Sequence, residues 1–551
     1  MGSGMTSGPE RHEAAVIPPG TGLPRWAWGV VLALLLLHAT LAWQTRTAGV
    51  THSNDDALYA ILGQGLEHLS YRETFRVGAP LHGQYPPGWP ALIALANLAS
   101  GHQQDAAFAL TMLLSTAALF LFFDATRRLL PVGLALVVLA AAALNQYNVA
   151  YAGRLMSEAA YWFWTSLTLW GMVRSKDSPR FLALAGGAAL VAAFTRSIGV
   201  TMVGAVMVAW AMERRWRPLA WLAGVAAVLM GLWGFYTLET HEEVVGRSYM
   251  ADASHYVERL TGEESGLGRV VAIVANRVRE QVMGVIPAML PLARFNGTII
   301  DNLVWLIVTV GLGLAGAIAL RRRLPVLVLY LLFYYGLLAL WPFAPRRFFI
   351  PIQPLVLLVL VIGAVSLLGR IRPWLGWGSA GALLAVVIAV ALPQTLGAAQ
   401  WMRKCDRSHP WASAYCYDGD QRTFFAAVTF ARDSLPADAR FLVEREASFA
   451  YHTGKVVEHA QVPIRFTDSD FLAYLVDRRI EYVVVTRLFN AELTQLAPKL
   501  LKVCASLEPL RHFPPYGRMY RVLGDSVPAE RNACSDLNYF IRTTPLREQP
   551  R

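Results

Sequence analysis

Two adjacent acids, Asp55 and Asp56, follow the first hydrophobic segment, and a Tyr85-Pro86-Pro87-Gly88-Trp89-Pro90 run closes the same loop before apolar sequence resumes at Ala91. A carboxylate pair at the edge of an apolar region can accept a proton, and beside His52, His68 and His82 it could hold a divalent cation. Plainer roles compete: Asn54 or Asp55 capping a helix that begins near Ala57, and histidines that are solvated loop side chains holding no metal. Further on, Glu158 follows Ser157, Arg196 interrupts a long apolar run, and Arg346 and Arg347 precede another. Glu158 could serve a helix N-terminus, Arg196 could snorkel, and Arg346 and Arg347 could anchor an interface. An Arg at the bilayer centre costs about 2.5–3.5 kcal/mol on the mildest scale, so 181–212 reads as two short spans with Arg196 at the outer interface.

The elements that must position these residues are membrane helices. Of 551 residues, 55% are hydrophobic and 16% charged, and the mean hydropathy is +0.39, which describes a polytopic membrane protein. The net charge of +11 sits in short basic clusters between apolar segments, where the positive-inside rule accounts for it; nucleic-acid binding is discounted. Residues 1–24 lack an apolar stretch or small-residue cleavage site and read as a disordered cytoplasmic tail, with 26–43 as a signal anchor. A membrane domain over 25–392 then holds about eleven spans. Segment 91–99 is a short, partly embedded helix, and span 132–144 is followed by a short outer turn. The loops 44–90 and 239–300 lie outside, the second as a lid or substrate loop with a helix around 269–283. The last span covers 375–392.

Residues 393–551 read as a small extracytoplasmic α/β domain, with helices over 422–434, 470–477 and 491–501 and strands over 441–444 and 482–486. All four cysteines fall here, which suggests disulfides in an oxidising compartment. Three pairings are open, and proximity favours Cys405 with Cys416 and Cys504 with Cys534. Without a phosphate loop, a Gly-x-Ser-x-Gly or clustered metal spacing, the domain receives no catalytic role, and Asp468 and Asp470 read as helix caps. Asp55, Asp56, Glu158, Arg196, Arg346 and Arg347 all fall on the side of the cysteines.

Taken in order, Asn54-Asp55-Asp56-Ala57, the Tyr85-to-Pro90 run, Met156-Ser157-Glu158, Thr195-Arg196-Ser197 and Arg346-Arg347-Phe348-Phe349-Ile350-Pro351 resemble the GT-C superfamily, closest to its protein mannosyltransferase and aminoarabinose transferase branch. The resemblance covers 26–392 and extends weakly beyond. It implies a mainly α membrane protein, a GT-C-like bundle with the α/β domain outside. It also implies an inverting transfer of sugar from a polyprenyl-phosphate donor to an envelope glycan, lipid or protein acceptor. By that match Asp55 is the general base with Asp56 second, Glu158 is the acid before the fourth span, and Arg196, Arg346 and Arg347 bind the phosphate. Tyr85, a further donor-binding candidate, stands where aminoarabinose transferases carry Lys, so its phosphate contact stays open and that specific activity is not inherited.

The chemistry explains such an inventory. An attacking hydroxyl must lose a proton, for which one positioned carboxylate suffices. The leaving phosphate is a weak base that needs no general acid, only cations such as the forked guanidinium of Arg. The residues name no cofactor, and a divalent metal near Asp55 or Asp56 stays open. The Ala-, Leu- and Arg-rich composition points to a bacterial inner membrane with the C-terminal domain in the periplasm. A lipid or solute transporter or flippase is the alternative, though internal repeats and midplane charges are not seen in the sequence. A third reading is a non-enzymatic envelope protein that binds through its C-terminal domain.

Overall fold

The computed structural model describes residues 23–50, 53–240, 267–280, 299–341, 346–461, 463–524 and 526–547. The tail expected over 1–24 therefore lies almost wholly outside the described residues, as does most of the loop 239–300 and His52. The membrane part begins with α1 (Arg25–Thr45), α2 (Asn54–Glu67), α3 (Gly88–Ser100), α4 (Gln104–Thr126), α5 (Val132–Ala143), α6 (Gln146–Ala152), α7 (Ser157–Arg174) and α8 (Arg180–Thr195). It continues through α9 (Val200–Met212), α10 (Trp216–Glu239), α11 (Leu267–Glu280), α12 (Ile299–Leu320), α13 (Pro325–Leu340), α14 (Gln353–Leu368) and α15 (Pro373–Arg403).

Among the described residues, five helices are long and apolar enough to cross a membrane, and the bent α5–α6 pair makes up to six. Shorter apolar helices include α3, α8, α9 and α13, which leaves the expected count of eleven spans open. This is a multi-pass membrane protein. In place of the turn expected after residue 144, the chain bends by 60° into α6. Such a break frees backbone carbonyls where lipid offers no partner, so side chains must supply them. His38 Nδ1 donates to the Ala143 carbonyl at 2.8 Å, Thr395 Oγ1 to Leu144 at 2.8 Å and Asn148 Nδ2 to Ala142 at 2.9 Å. α15 does not stop at 392 but runs 31 residues through Pro393 to Arg403, and it also supplies Thr395.

Helices α12 and α14 touch backbone to backbone. A Cβ at Gly363 would lie 1.9 Å from the Leu312 carbonyl oxygen, and one at Gly316 2.0 Å from that of Val359, so only glycine fits.

The C-terminal domain adds α16 (Gly419–Ser434), α17 (Glu446–Thr453), α18 (Asp468–Asp477), α19 (Ala497–Lys502) and α20 (Cys534–Thr543) around a sheet of β1 (Arg440–Val443), β2 (Val456–His459), β3 (Tyr482–Val485), β4 (Leu507–Phe513) and β5 (Gly517–Val522). The strand order is β2-β1-β3-β5-β4, parallel among the first three and antiparallel thereafter. The helices and the two strands expected here are present, β3 with all four residues buried as its apolar run requires. Asp468 and Asp470 are first-turn residues of α18, but the cap is Thr467, whose hydroxyl accepts from the Asp470 N–H. Disulfides join Cys405 to Cys416 and Cys504 to Cys534. The domain is not tethered loosely: Ala57, Leu58 and Ile61 of α2 share one apolar cluster with Phe424, Phe425 and Phe449.

Candidate active site

The helix that carries the acids starts at Asn54, and its cap is Ser53, not Asn54 or Asp55. Ser53 and Asp56 form a reciprocal capping box, with the Ser53 N–H donating to the Asp56 carboxylate at 3.1 Å. The plain capping role therefore belongs to Asp56, which is fully buried. Asp55, one position earlier, lies about 100° around the helix from Asp56 and faces the membrane domain.

There Asp55 is ion-paired with Arg347, a residue 292 positions away, and accepts a hydrogen bond from the Tyr85 hydroxyl at 2.9 Å. Burial pushes the Asp55 pKa up. The charge and hydrogen bond of Arg347, the Tyr85 hydrogen bond and the charge of Arg196 outweigh it and hold the carboxyl below its ordinary value. Burial, then the charge on Asp55, holds the Tyr85 phenol well above its ordinary value, so it stays a donor.

A second pair lies alongside. Arg196 meets Glu158 at 2.6 Å and donates to Ser157 Oγ at 2.9 Å, and Tyr59 Oη lies 3.3 Å from the same Ser157 oxygen. The guanidinium groups of Arg196 and Arg347 sit over the same Phe348 ring, 5.3 and 5.8 Å from its centroid. Ring contact at 5.0 Å between Tyr59 and Tyr85 closes the group. The two pairs differ in access. Asp55 and Arg347 are 20% and 26% exposed, whereas Glu158 and Arg196 are 1% and 9% exposed, so a ligand can reach the first pair and hardly the second.

Local chain geometry brings these groups together. Gly88, in the proline-rich run, abuts the end of α8, where a Cβ would come within 2.5 Å of the Phe194 carbonyl oxygen; that contact sets the first loop against Arg196. Glu158 opens α7 and Arg174 ends it, about 24 Å of helix apart. At that far end Asp124 gathers Arg127, Arg128 and Arg174, so the basic cluster and the acid site occupy opposite ends of one helix.

The structure brings together Asp55, Glu158, Arg196, Arg347 and Tyr85 from the sequence-derived set. Arg346 belongs to the same short 3-10 turn, but its side chain lies outside the described residues. Tyr85 is engaged with Asp55. Spacing could have found Tyr59, one helical turn after Asp55 on the same face, and Ser157 and Phe348 as neighbours of flagged residues. The histidines divide: His68 is exposed, while His82, expected to be an uncoordinated polar loop residue, is completely buried, with Glu73 and the Tyr85 main chain using both ring nitrogens. Among the described residues, no three His, Cys, Asp or Glu side chains converge as metal ligands.

No family model and no curated protein matches the chain. Solved structures do. The oligosaccharyltransferase AglB from Archaeoglobus fulgidus, in complex with an inhibitory peptide and a dolichol-phosphate, aligns with a TM-score of 0.53 at 13% identity, over 94% of this chain and 77% of that one. ArnT from Cupriavidus metallidurans in the apo state aligns with a TM-score of 0.51 at 13% identity, over 91% of this chain and 100% of that one. ArnT bound to undecaprenyl phosphate gives 0.50 at 14% identity, over 90% and 98%. The chain has the fold of the GT-C membrane glycosyltransferases.

Proposed function

We propose that this protein is a glycosyltransferase that moves a sugar from a polyprenyl-phosphate donor to an acceptor hydroxyl at the outer face of the membrane, with inversion. The observation that carries the reading is the accessible Asp55–Arg347 pair, a base beside a phosphate ligand, backed by Arg196. The fold neighbours support the donor class, since AglB was solved with a dolichol-phosphate and ArnT with undecaprenyl phosphate.

In this reaction Asp55 takes the proton of the acceptor hydroxyl as its oxygen attacks the anomeric carbon from the face opposite the phosphate. The carbon–oxygen bond to phosphate breaks, and the electron pair stays on the phosphate. Arg347 receives that charge and Arg196 adds to it from behind. A phosphate that draws on Arg347 also weakens the hold of Arg347 on Asp55, which raises the basicity of the carboxylate as the donor seats. Glu158, sealed against Arg196, orients that guanidinium. One AglB structure contains zinc and sulfate. In this chain Asp55 is engaged by Arg347 and Tyr85, and among the described residues no three His, Cys, Asp or Glu side chains converge as metal ligands.

The test is purified Asp55→Asn supplied with undecaprenyl-phosphate-linked hexoses and pentoses. Turnover falls by about a hundredfold or more while undecaprenyl phosphate still binds. Unchanged turnover removes Asp55 from the role.

A further inference from the structure

The loop between α2 and α3 hides a polar chain that ends on Asp55. His82 is 0% exposed and Glu73 2%, an unusual depth for two ionisable residues of a loop. The Tyr85 N–H donates to His82 Nε2 at 2.9 Å, so Nε2 carries a lone pair and the proton sits on Nδ1, which faces Glu73 Oε1 at 2.7 Å. Arg76, 3.5 Å from Glu73, compensates its charge and also approaches Glu458 of β2 at 3.8 Å. The Tyr71 hydroxyl donates to the Tyr85 carbonyl at 2.8 Å, and the His82 N–H to the Tyr71 carbonyl at 2.9 Å. Both main-chain polar groups of Tyr85 are thereby held, and its ring packs tilted on His82 with centroids 5.4 Å apart. Thus fixed, the phenol meets Asp55 at 2.9 Å.

We propose that the Glu73–His82 pair is a positioning device for the reaction: it sets the backbone of Tyr85 so that the phenol holds Asp55 in the orientation from which it accepts a proton. The inference rests on the glycosyltransferase reading, with Asp55 as base. An imidazole used only to knit the loop together would act independently of the Tyr85 hydroxyl. One that positions Asp55 acts through it.

A double-mutant cycle on the full chain in detergent separates the two roles. Tyr85→Phe and His82→Ala each lower kcat by about tenfold, the value of one well-placed hydrogen bond, with KM for the undecaprenyl-phosphate sugar little changed. The double variant is no slower than Tyr85→Phe alone. If His82→Ala does not fold, His82→Gln is read by the same criterion. Nitrogen-15 spectra of the histidines, with His82 assigned by difference from that variant, show a neutral ring protonated at Nδ1. Losses that multiply, a Tyr85→Phe enzyme as fast as the wild type, or a proton on Nε2 overturn the proposal. Asp55→Asn is assayed alongside: if it keeps its turnover the reading of Asp55 as base falls, and this proposal with it, whereas multiplying losses beside an inactive Asp55→Asn remove only the role of His82.

Discussion

Asn54 and Ser448 are joined across the two domains: the Asn54 side-chain oxygen accepts the Ser448 N–H at 3.2 Å and, beside it, the Ala447 N–H at 3.0 Å. Those donors belong to the first turn of α17, where a helix has no internal acceptors, and the residue that satisfies them stands immediately before Asp55. The C-terminal domain thus grips the start of the acid-bearing helix, helped by His452, which bonds the Val50 carbonyl at 2.8 Å, and by the Val457 N–H, which donates to Phe75 at 2.8 Å.

Asn54→Ala strips two N–H groups of their acceptor at a cost of about 1–3 kcal/mol, and turnover falls with stability because Asp55 loses its footing. Asn54→Asp keeps an acceptor and adds a negative charge favourable at a helix N-terminus, so it retains most of both. Melting temperature and turnover of the two variants, compared side by side, check this. An Asn54→Ala protein that melts and turns over like the wild type refutes the coupling.

The Glu158–Arg196 pair makes the opposite kind of prediction. Because both partners are sealed, Glu158→Gln leaves a buried guanidinium without its counter-charge, which costs about 3–5 kcal/mol. Removing both charges with Glu158→Gln and Arg196→Gln together recovers part of the stability and none of the activity, since the cation proposed to back Arg347 is gone. Thermal melting and turnover of the single and double variants give the comparison. A double variant less stable than Glu158→Gln alone contradicts it.

A carboxyl of the C-terminal domain sets a pH dependence of stability. Burial, then the charge of Glu492, pushes Glu444 up to about 9 from an ordinary value of 4.5. The unfolded chain ionises this group near 4.5 and the folded one does not until about 9, so ionisation favours unfolding progressively over that window. Below 4.5 both states are protonated and the effect vanishes. Glu444→Gln therefore stabilises the protein at pH 8 by at least about 1 kcal/mol, or about 2–4 °C in Tm for a domain of this size, and changes little at pH 4. Melting curves at the two pH values read the difference, and equal shifts at both would point to packing in place of ionisation.

Much of this molecule could be read residue by residue. Hydropathy over windows of about 20 residues marks the membrane helices, because transfer from water to lipid is a local property of each segment. Short continuous apolar runs mark β1 and β3, and sequence proximity favoured the disulfide pairs that the fold forms. Asp55, Glu158, Arg196 and Arg347 drew notice as charges at apolar borders, where each is costly without a partner.

Which partner each charge takes was decided only by tertiary packing. Asp55 and Arg347 are separated by 292 residues, and no local period encodes their meeting. It depends on α7 packing against α8 and against the 3-10 turn Arg346–Ile352, on Gly88 admitting the Phe194 carbonyl, and on Phe348 lying beneath both guanidinium groups. The same holds for His82, whose polar side chain predicts exposure until Glu73 and the Tyr85 N–H remove the cost of burying it, and for the α5–α6 bend, permitted by His38 and Thr395 from distant helices. Sequence by itself determined which segments are apolar enough to seek lipid and which charges had to find partners; the three-dimensional fold chose those partners, because pairing energy depends on distance in space and not on separation along the chain.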